Sequence, residues 1–428
     1  MNTIWNCIPR FSISSVSTLA QRASWGQSVS IHAGSAEPIR VARPKAVDLG
    51  IINGAATALH LVRRGIGRVV LVDKHLIASG GTGRSAAIIR QHYSNDELVK
   101  MVKRSVEVFH DFDDEIGGDC GFVNTGWAFF VPESVASGFE RNVAMGQRLG
   151  VEVREIDHDA LLAIEPRVAI DDVARIAYEP GSGYANPIQT THAYVQAFVE
   201  AGGILRPLTS VTGVDASDSR VRGIRTDQGD IAAGIVVNAA GPWADRVAEW
   251  AGVRLPLDVT REEEIIFETA AQGGPPRLCF SDMAAAFYYR PHGPTQMLVG
   301  RGYPKAYETV SPDDYRAEVD VPFIEELKKL LARRWPCYRD AIAVNSYTGL
   351  YDVTPDWHPV LGDVDGLDGF YLCAGFSGHG FKIGPAIGEL MAELICTGRI
   401  EELSLDRFRL ERFERGAQLT AAYGGNRA

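Results

Sequence analysis

Apolar residues recur at helical spacing in several separate stretches of the chain. Residues 53–64 and 98–116 each place their apolar positions on one face of a helix, and residues 190–201 and 387–395 follow the same period. Each of these segments is amphipathic enough to bury one face against a core. The pattern therefore predicts four helices distributed along the chain.

Short apolar runs bounded by turn residues predict strands between these helices. The run at 287–291 and the run at 297–300 are expected to form an antiparallel pair. The other predicted strands lie at residues 68–73, 126–131, 208–214, 221–226, 231–238 and 369–374. Because a helix at 53–64 leads directly into the strand at 68–73, the chain from about Val47 is typical of a nucleotide-binding βαβ unit. The predicted fold class is α/β.

The composition of the chain argues against some classes of binding partner. A chain of 428 residues, 46% hydrophobic and 23% charged, can bury a large core in more than one lobe. A net charge of −11 argues against nucleic acid and anionic membranes as partners. The six cysteines lack metal-ligand spacing, so they are predicted to be isolated thiols in a reducing compartment, with no metal site. No apolar stretch is long enough to span a membrane.

Residues 1–45 differ in composition from the rest of the chain. They are rich in serine and contain five arginines and lysines but a single acid, Glu37. This composition is typical either of a disordered extension or of a mitochondrial transit peptide. The expected location is therefore the cytoplasm, with the mitochondrial matrix as the alternative.

A glycine-rich turn near residue 380 is the strongest candidate for chemistry. It follows the predicted strand at 369–374 and leads into the predicted helix at 387–395. Unpaired backbone N–H groups and the positive helix end favour an anionic or polar ligand there. His379 and Lys382 add a titratable donor and a cation. The alternative is an ordinary tight turn with glycines at positive φ.

Two motifs give this turn a family resemblance. Residues 375–385, Gly-Phe-Ser-Gly-His-Gly-Phe-Lys-Ile-Gly-Pro, and residues 349–362, Gly-Leu-Tyr-Asp-Val-Thr-Pro-Asp-Trp-His-Pro-Val-Leu-Gly, occur in order. Both resemble motifs of the D-amino-acid oxidase superfamily, in its sarcosine oxidase and dehydrogenase branch. The resemblance implies a two-lobed flavoprotein with a Rossmann-like FAD-binding domain and an antiparallel-sheet substrate domain.

The implied domains are discontinuous. The FAD-binding domain is expected at residues 46–95, 171–254 and 346–428, and the substrate domain at residues 96–170 and 255–345, after the extension at 1–45.

The first nucleotide-binding turn departs from the family pattern. Where the family has Gly-x-Gly-x-x-Gly, this chain has Leu49-Gly50-Ile51-Ile52-Asn53-Gly54. A β-branched Ile51 in place of the second glycine is expected to push the pyrophosphate away. Asp73 ends the following strand, where a carboxylate accepts hydrogen bonds from the ribose. Restoring glycine at residues 49 and 51 is expected to raise FAD occupancy.

The resemblance also implies roles for individual residues. Arg90 and Lys382 are expected to hold the substrate carboxylate, and His379 and Tyr288 to act as further catalytic residues. Residues 78–93 are expected to thread past the flavin, with an arginine-bearing helix start. The expected FAD contacts are Gly50, Gly54, Asp73, Lys74, Gly81, Thr82, Gly83, Arg84, Ser85, Val211, Ala240, Gly241, Trp243, Gly378, His379, Gly380, Phe381 and Lys382.

The resemblance implies oxidation of a small secondary or tertiary amino acid such as sarcosine, by hydride transfer to FAD and hydrolysis of the resulting imine. FAD is expected to be non-covalent, because Gly349 stands where relatives tether it through cysteine, and residues 79–85 contain no histidine. Leu298 stands where oxidases carry a lysine, which favours an acceptor protein over oxygen. The alternatives are a flavoenzyme acting on a D-amino acid, proline or a 2-hydroxy acid, and a partner-dependent subunit with weak FAD binding.

Overall fold

The computed structural model describes residues 45–49, of which only the backbone is considered, together with residues 52–303 and 305–423. The helices in this part of the chain are α1 (Ile52–Arg63), α2 (Asp96–His110), α3 (Phe112–Glu115), α4 (Ala136–Arg148), α5 (His158–Ile164), α6 (Pro187–Glu200), α7 (Ala244–Trp250), α8 (Val321–Arg334) and α9 (Gly380–Thr397).

The strands in the same part of the chain are β1 (Lys45–Leu49), β2 (Val69–Val72), β3 (Ile88–Ile89), β4 (Trp127–Val131), β5 (Arg154–Ile156), β6 (Arg175–Glu179), β7 (Gly183–Tyr184), β8 (Ile204–Arg206), β9 (Val211–Ser217), β10 (Arg220–Thr226), β11 (Ile231–Ala232), β12 (Val236–Ala239), β13 (Asp258–Glu268), β14 (Cys279–Asp282), β15 (Phe287–His292), β16 (Gln296–Arg301), β17 (Glu308–Thr309), β18 (Ile342–Val353), β19 (Val360–Asp363) and β20 (Phe370–Ala374).

The first lobe is built on a six-stranded sheet in the order β19–β20–β12–β1–β2–β8. Every neighbouring pair is parallel except β19–β20, which is antiparallel. All four residues of β2 are buried, as expected of a central parallel strand that is covered on both faces. Helix α1 connects β1 to β2, so this lobe contains the predicted βαβ unit.

The second lobe is built on a nine-stranded sheet in which β13 and β18 form the longest antiparallel pair. The pairing of β15 with β16 is antiparallel, as predicted, and β4 lies parallel to β14. The two sheet-based lobes agree with the predicted α/β fold class. Strand β6 pairs with β4 in this sheet, although residues from 171 onward are predicted to belong to the FAD-binding domain. The domain boundaries stay a prediction.

Two local predictions are wrong. The helix expected at 98–116 is interrupted at Asp111, whose φ of −107° and ψ of 32° are not helical, so α2 and α3 are separate. The arginine-bearing helix start expected in residues 78–93 is a single 3₁₀ turn, Thr82–Arg84, followed by β3. Helix α5 is capped by Asp157, which accepts a hydrogen bond from Ala160 N at 2.8 Å. Periodicity does not detect such caps and breaks.

Close packing of α1 on α9 joins the beginning and the end of the first lobe. Gly388 of α9 lies against Ala56 of α1, and both residues are buried. The approach depends on the missing side chain at residue 388, because backbone atoms of Ala56 occupy the space that a Cβ would need. This contact fixes α9, and with it Lys382, relative to α1.

Replacing Gly388 by alanine is therefore expected to destabilise the fold. A Cβ at residue 388 would lie 2.5 Å from Ala56 Cβ and 2.7 Å from its carbonyl carbon. Overpacking of this kind costs about 1–3 kcal/mol, which a urea unfolding curve measures. Gly234→Ala is the control, because a Cβ at Gly234 meets no atom within 4 Å. Equal unfolding midpoints for the two variants would contradict the close helix contact.

Candidate active site

The glycine-rich turn is held in place by the end of β18. Gly375 N donates to Asp352 Oδ2 at 2.7 Å, and Ser377 N donates to the Asp352 carbonyl oxygen at 3.0 Å. Burial raises the pKa of Asp352 to about 6. Ser377 itself has a φ of 51°, a conformation that costs a non-glycine residue free energy and that these contacts maintain. The two motifs of the sequence are thus one physical unit.

Three adjoining cavities lie in series, and the middle and inner cavities border this turn. The outer cavity is lined by Asp73, Lys74, Thr82, Val211, Ala240 and Trp243. The middle cavity is lined by Gly81, Thr82, Arg84, Ser85, Gly378, Gly380 and Phe381. The inner cavity is lined by Ser85, Arg90, Tyr288, Gly378, His379, Phe381 and Lys382. Because Thr82 is shared by the first two and Gly378 by the last two, the cavities form a series suited to an elongated ligand.

Some predicted residues do not line these cavities. Gly54 is buried within α1, and Gly83 leaves room for the carbonyl of Ala78, with which a Cβ would collide. Gly241 has a φ of 55° and forms the turn that precedes Trp243. Gly50 and Ile51 lie outside the described residues. The expectation that Ile51 displaces the pyrophosphate therefore stays a prediction.

Several lining residues were missed by sequence reasoning. Glu262 and Glu264 of β13 line the middle cavity together with Asn53 and Tyr351. Glu262 and Glu264 stand two residues apart in β13, so their side chains point to the same face, but the charged run Arg261–Glu264 does not show that this face lines the site. Tyr351 lies inside the motif at 349–362, but nothing in its spacing shows that it faces the site.

Two cations lie at the inner cavity. The guanidinium of Arg90 sits 4.8 Å from the ring centroid of Tyr93 and 5.8 Å from that of Trp127, and it donates to the carbonyl oxygen of His92. Lys382 is 9% exposed, and its Nζ donates only a long hydrogen bond, 3.4 Å, to Gly378 O. Neither cation has a carboxylate partner within 4 Å among the described residues.

Burial controls the charge of the groups around Lys382. Burial, with a smaller contribution from Arg90, holds the pKa of Lys382 well below its usual range. Burial and the neighbouring Lys382 do the same to the pKa of His379, so this imidazole is neutral. His379 Nδ1 lies 3.3 Å from the hydroxyl of Tyr93. An anion entering the cavity would favour the charged form of Lys382.

Buried Glu264 lines the middle cavity, and its hydrogen-bond partner Tyr288 lines the inner cavity. The hydroxyl of Tyr288 donates to Glu264 Oε1, and Gly300 leaves the space in which the two side chains meet. Burial raises the pKa of Glu264 to about 7, against the opposing effect of the Tyr288 hydrogen bond. Glu262 is paired with Lys305 instead. Glu264 can thus accept or donate a proton near neutral pH between the middle and inner cavities.

The residues present fit a flavin dinucleotide. Buried Asn53 Oδ1, Glu264 Oε2 and His379 Nε2 have no hydrogen-bond partner within the described chain, and each belongs to a residue lining the middle or inner cavity. Such orphaned atoms are costly unless a ligand satisfies them. Gly81, Gly378 and Gly380 provide flat backbone surface where any side chain would meet neighbouring atoms. The donor and acceptor set suits the edge of a heteroaromatic ring.

Residues 52–394 match the family model described as DAO, FAD dependent oxidoreductase. The chain belongs to this family. The predicted resemblance and the FAD cofactor are thereby confirmed, since members of the family bind FAD. Among the described residues no cluster of three or more His, Cys, Asp or Glu could hold a metal ion, and none of the described helices could cross a membrane.

Curated relatives are similar at low identity. Sarcosine dehydrogenase, mitochondrial, from Mus musculus is 26% identical over 400 residues, which cover 90% of this chain and 43% of that protein. The chain thus spans less than half the length of this relative. Sarcosine oxidase subunit beta from Arthrobacter sp. is 25% identical over 388 residues, which cover 87% of this chain and 92% of the relative.

Solved structures support the fold. L-proline dehydrogenase from P. horikoshii superimposes with a TM-score of 0.80 at 29% identity, covering 88% of this chain and 98% of that one. Glycine oxidase from Geobacillus kaustophilus gives a TM-score of 0.76 at 23% identity, covering 86% and 99%, and shows the fold alone. The predicted two-lobed flavoprotein fold is confirmed.

Replacing Gly378 by alanine is expected to lower the FAD content of the purified protein. Gly378 has a φ of +85°, and a Cβ would lie 2.6 Å from the ring of Tyr351, which lines the same two cavities. The ratio of flavin to protein absorbance measures the occupancy. Gly366→Ala is the control, because Gly366 has a φ of +78° but nothing within 4 Å of its Cβ position. Full occupancy in Gly378→Ala would contradict the assigned cavity.

Proposed function

We propose that this protein oxidises a small secondary or tertiary amino acid, of which sarcosine is the simplest example. The observation that carries the proposal is the pair of cations, Arg90 and Lys382, at one cavity beside the glycine-rich turn. Within the described chain neither has a carboxylate partner, so an anionic group of the substrate is the natural counter-ion.

The two cations have different tasks. Arg90 presents a planar fork that can form paired hydrogen bonds to a carboxylate, and the rings of Tyr93 and Trp127 with the His92 carbonyl fix its orientation. Burial holds the pKa of Lys382 well below its usual range, and a bound carboxylate would favour its charged form. Substrate binding is therefore coupled to proton uptake above the free pKa of Lys382. Together they position the substrate, which lowers the barrier through orientation.

The surrounding groups control the protons at the site. Neutral His379 adds no second positive charge beside Lys382. The Tyr288–Glu264 pair places a group of pKa about 7 at the wall of the site, where an ammonium proton can be held. When bound, FAD supplies the redox chemistry by accepting the hydride from the C–H bond beside the substrate nitrogen. The residues of the outer and middle cavities would hold it, without a covalent link at Gly349.

The relatives support an amino-acid substrate. Those named sarcosine dehydrogenase and sarcosine oxidase subunit beta support sarcosine itself, although this chain spans only part of the former. Proline is the second candidate, because L-proline dehydrogenase from P. horikoshii is similar over nearly its whole length. Proline is also a secondary amino acid, so both candidates present the same carboxylate and amine to the site.

We also propose a protein electron acceptor rather than oxygen. Leu298, which is buried, offers no charge to stabilise superoxide. Its cross-strand neighbour Arg290 donates to the carbonyl oxygens of Ala86 and Pro291, so that guanidinium is already used by the backbone.

Relatives named as mitochondrial keep the matrix as an alternative to the cytoplasm.

Arg90→Lys is expected to raise the KM for sarcosine or proline while FAD content stays unchanged. Lysine cannot form the paired hydrogen bonds, and a hydrogen bond to a charged group contributes about 1.5–3 kcal/mol, which corresponds to a loss of about 10- to 100-fold. Steady-state kinetics with a dye acceptor measures the change. Arg141→Lys, at an exposed position, is the control. Unchanged kinetics in Arg90→Lys would remove Arg90 from the substrate site.

A further inference from the structure

Residues 413–423, here called the distal segment, are anchored to Asp356 of the motif at 349–362 and to Ser94, which follows the segment at 78–93. Arg412, immediately before the segment, forms a buried bidentate pair with Asp356. Leu419 N donates to Asp356 Oδ2 at 3.0 Å, and Ala422 N donates to Ser94 Oγ at 2.9 Å. These contacts position the next residue, Tyr423, at the inner cavity.

Tyr423 is packed into the wall of that cavity. Its hydroxyl lies 2.9 Å from His92 Nε2, and its ring stacks on His92 with centroids 5.8 Å apart. It also meets Phe129 edge-on at 5.6 Å. The side chain is 7% exposed, so its position is set by these partners rather than by solvent.

The same partners surround Arg90. Phe129 stacks on Trp127 at 5.4 Å, and Trp127 lies beneath the Arg90 guanidinium. The carbonyl of His92, whose side chain contacts Tyr423, accepts a hydrogen bond from Arg90. Burial lowers the pKa of His92 to about 3, so the imidazole is neutral and adds no charge to this wall. The guanidinium end of the cavity is therefore bounded by an aromatic cluster that Tyr423 completes.

A ligand whose carboxylate binds Arg90 must place its adjoining carbon atoms against this cluster. Trp127 and Phe129 are fixed by strand β4. Tyr423 instead comes from a segment beyond residue 394, where the family match ends. Tyr423, which lies outside the segment that matches the family model, therefore helps to set the size of this end of the cavity.

We propose that Tyr423 is a specificity-determining residue, which limits the size of the carbon skeleton accepted beside the carboxylate held by Arg90. The inference rests on the proposed function, since it requires that carboxylates bind at Arg90. Small amino acids would then be favoured, because the Tyr423 ring occupies space that a larger substituent would need. Removing the ring should enlarge the range of ligands, and a larger ring should narrow it.

The test uses the FAD-loaded protein and three carboxylates that contain no amine to oxidise: acetate, benzoate and 1-naphthoate. Their dissociation constants are obtained from the change in flavin absorbance on titration. In Tyr423→Ala we expect 1-naphthoate to bind about tenfold or more tightly relative to acetate than in the original protein. In Tyr423→Trp the ratio should move the other way. Tyr423→Phe, which keeps the ring, and Gln418→Ala, an exposed position on the same segment, should leave it unchanged.

The outcomes separate the two proposals. Carboxylate binding with the same size preference in all these proteins would overturn the role of Tyr423 and leave the proposed function intact. If no carboxylate binds the original protein, the proposed function fails, and the inference falls with it. Should Tyr423→Ala not fold, Tyr423→Trp decides: an unchanged ratio of 1-naphthoate to acetate binding would overturn the inference.

Discussion

Two cations without a carboxylate partner from the described chain, the buried Lys382 and the partly exposed Arg90, are the constraint around which the site is built. Charges removed from water are costly unless they are compensated. Carbonyl groups and aromatic rings around Arg90 offset part of this cost, and burial lowers the pKa of Lys382, which makes its neutral form more accessible when no ligand is bound. Under the proposed function, the carboxylate of the substrate supplies the compensating charge.

The fold brings these cations together from distant parts of the chain. Arg90 follows β3, a short strand paired with β7, whereas Lys382 stands in the first turn of α9. The close contact of Gly388 with Ala56 fixes α9 on α1, and Asp352 fixes the turn that precedes α9. The nine-stranded sheet supplies the remaining wall through Tyr288 and Glu264. Each wall of the cavity therefore depends on a different packing interface.

Local features of the site could be predicted, and features that depend on tertiary packing could not. The turn around Gly378 and the acid Asp73 are recognisable because strand, turn and acid succeed one another in the sequence. Glu264 and Tyr423 are not recognisable in this way, since their roles depend on pairing with β16 and on the anchoring of the distal segment. The break at Asp111 was missed for a related reason: the apolar period continues across it, while the backbone leaves the helix.

The most direct test of the account compares two amines that differ only in the carboxylate. The FAD-loaded protein is mixed anaerobically with sarcosine, or with dimethylamine, which has the same secondary amine and N-methyl group but no carboxylate, and loss of the oxidised flavin absorbance is measured over time. If Arg90 and Lys382 position the substrate, sarcosine should bleach the flavin and dimethylamine should not at the same concentration. Equal bleaching by the two amines would contradict the central role assigned to Arg90 and Lys382.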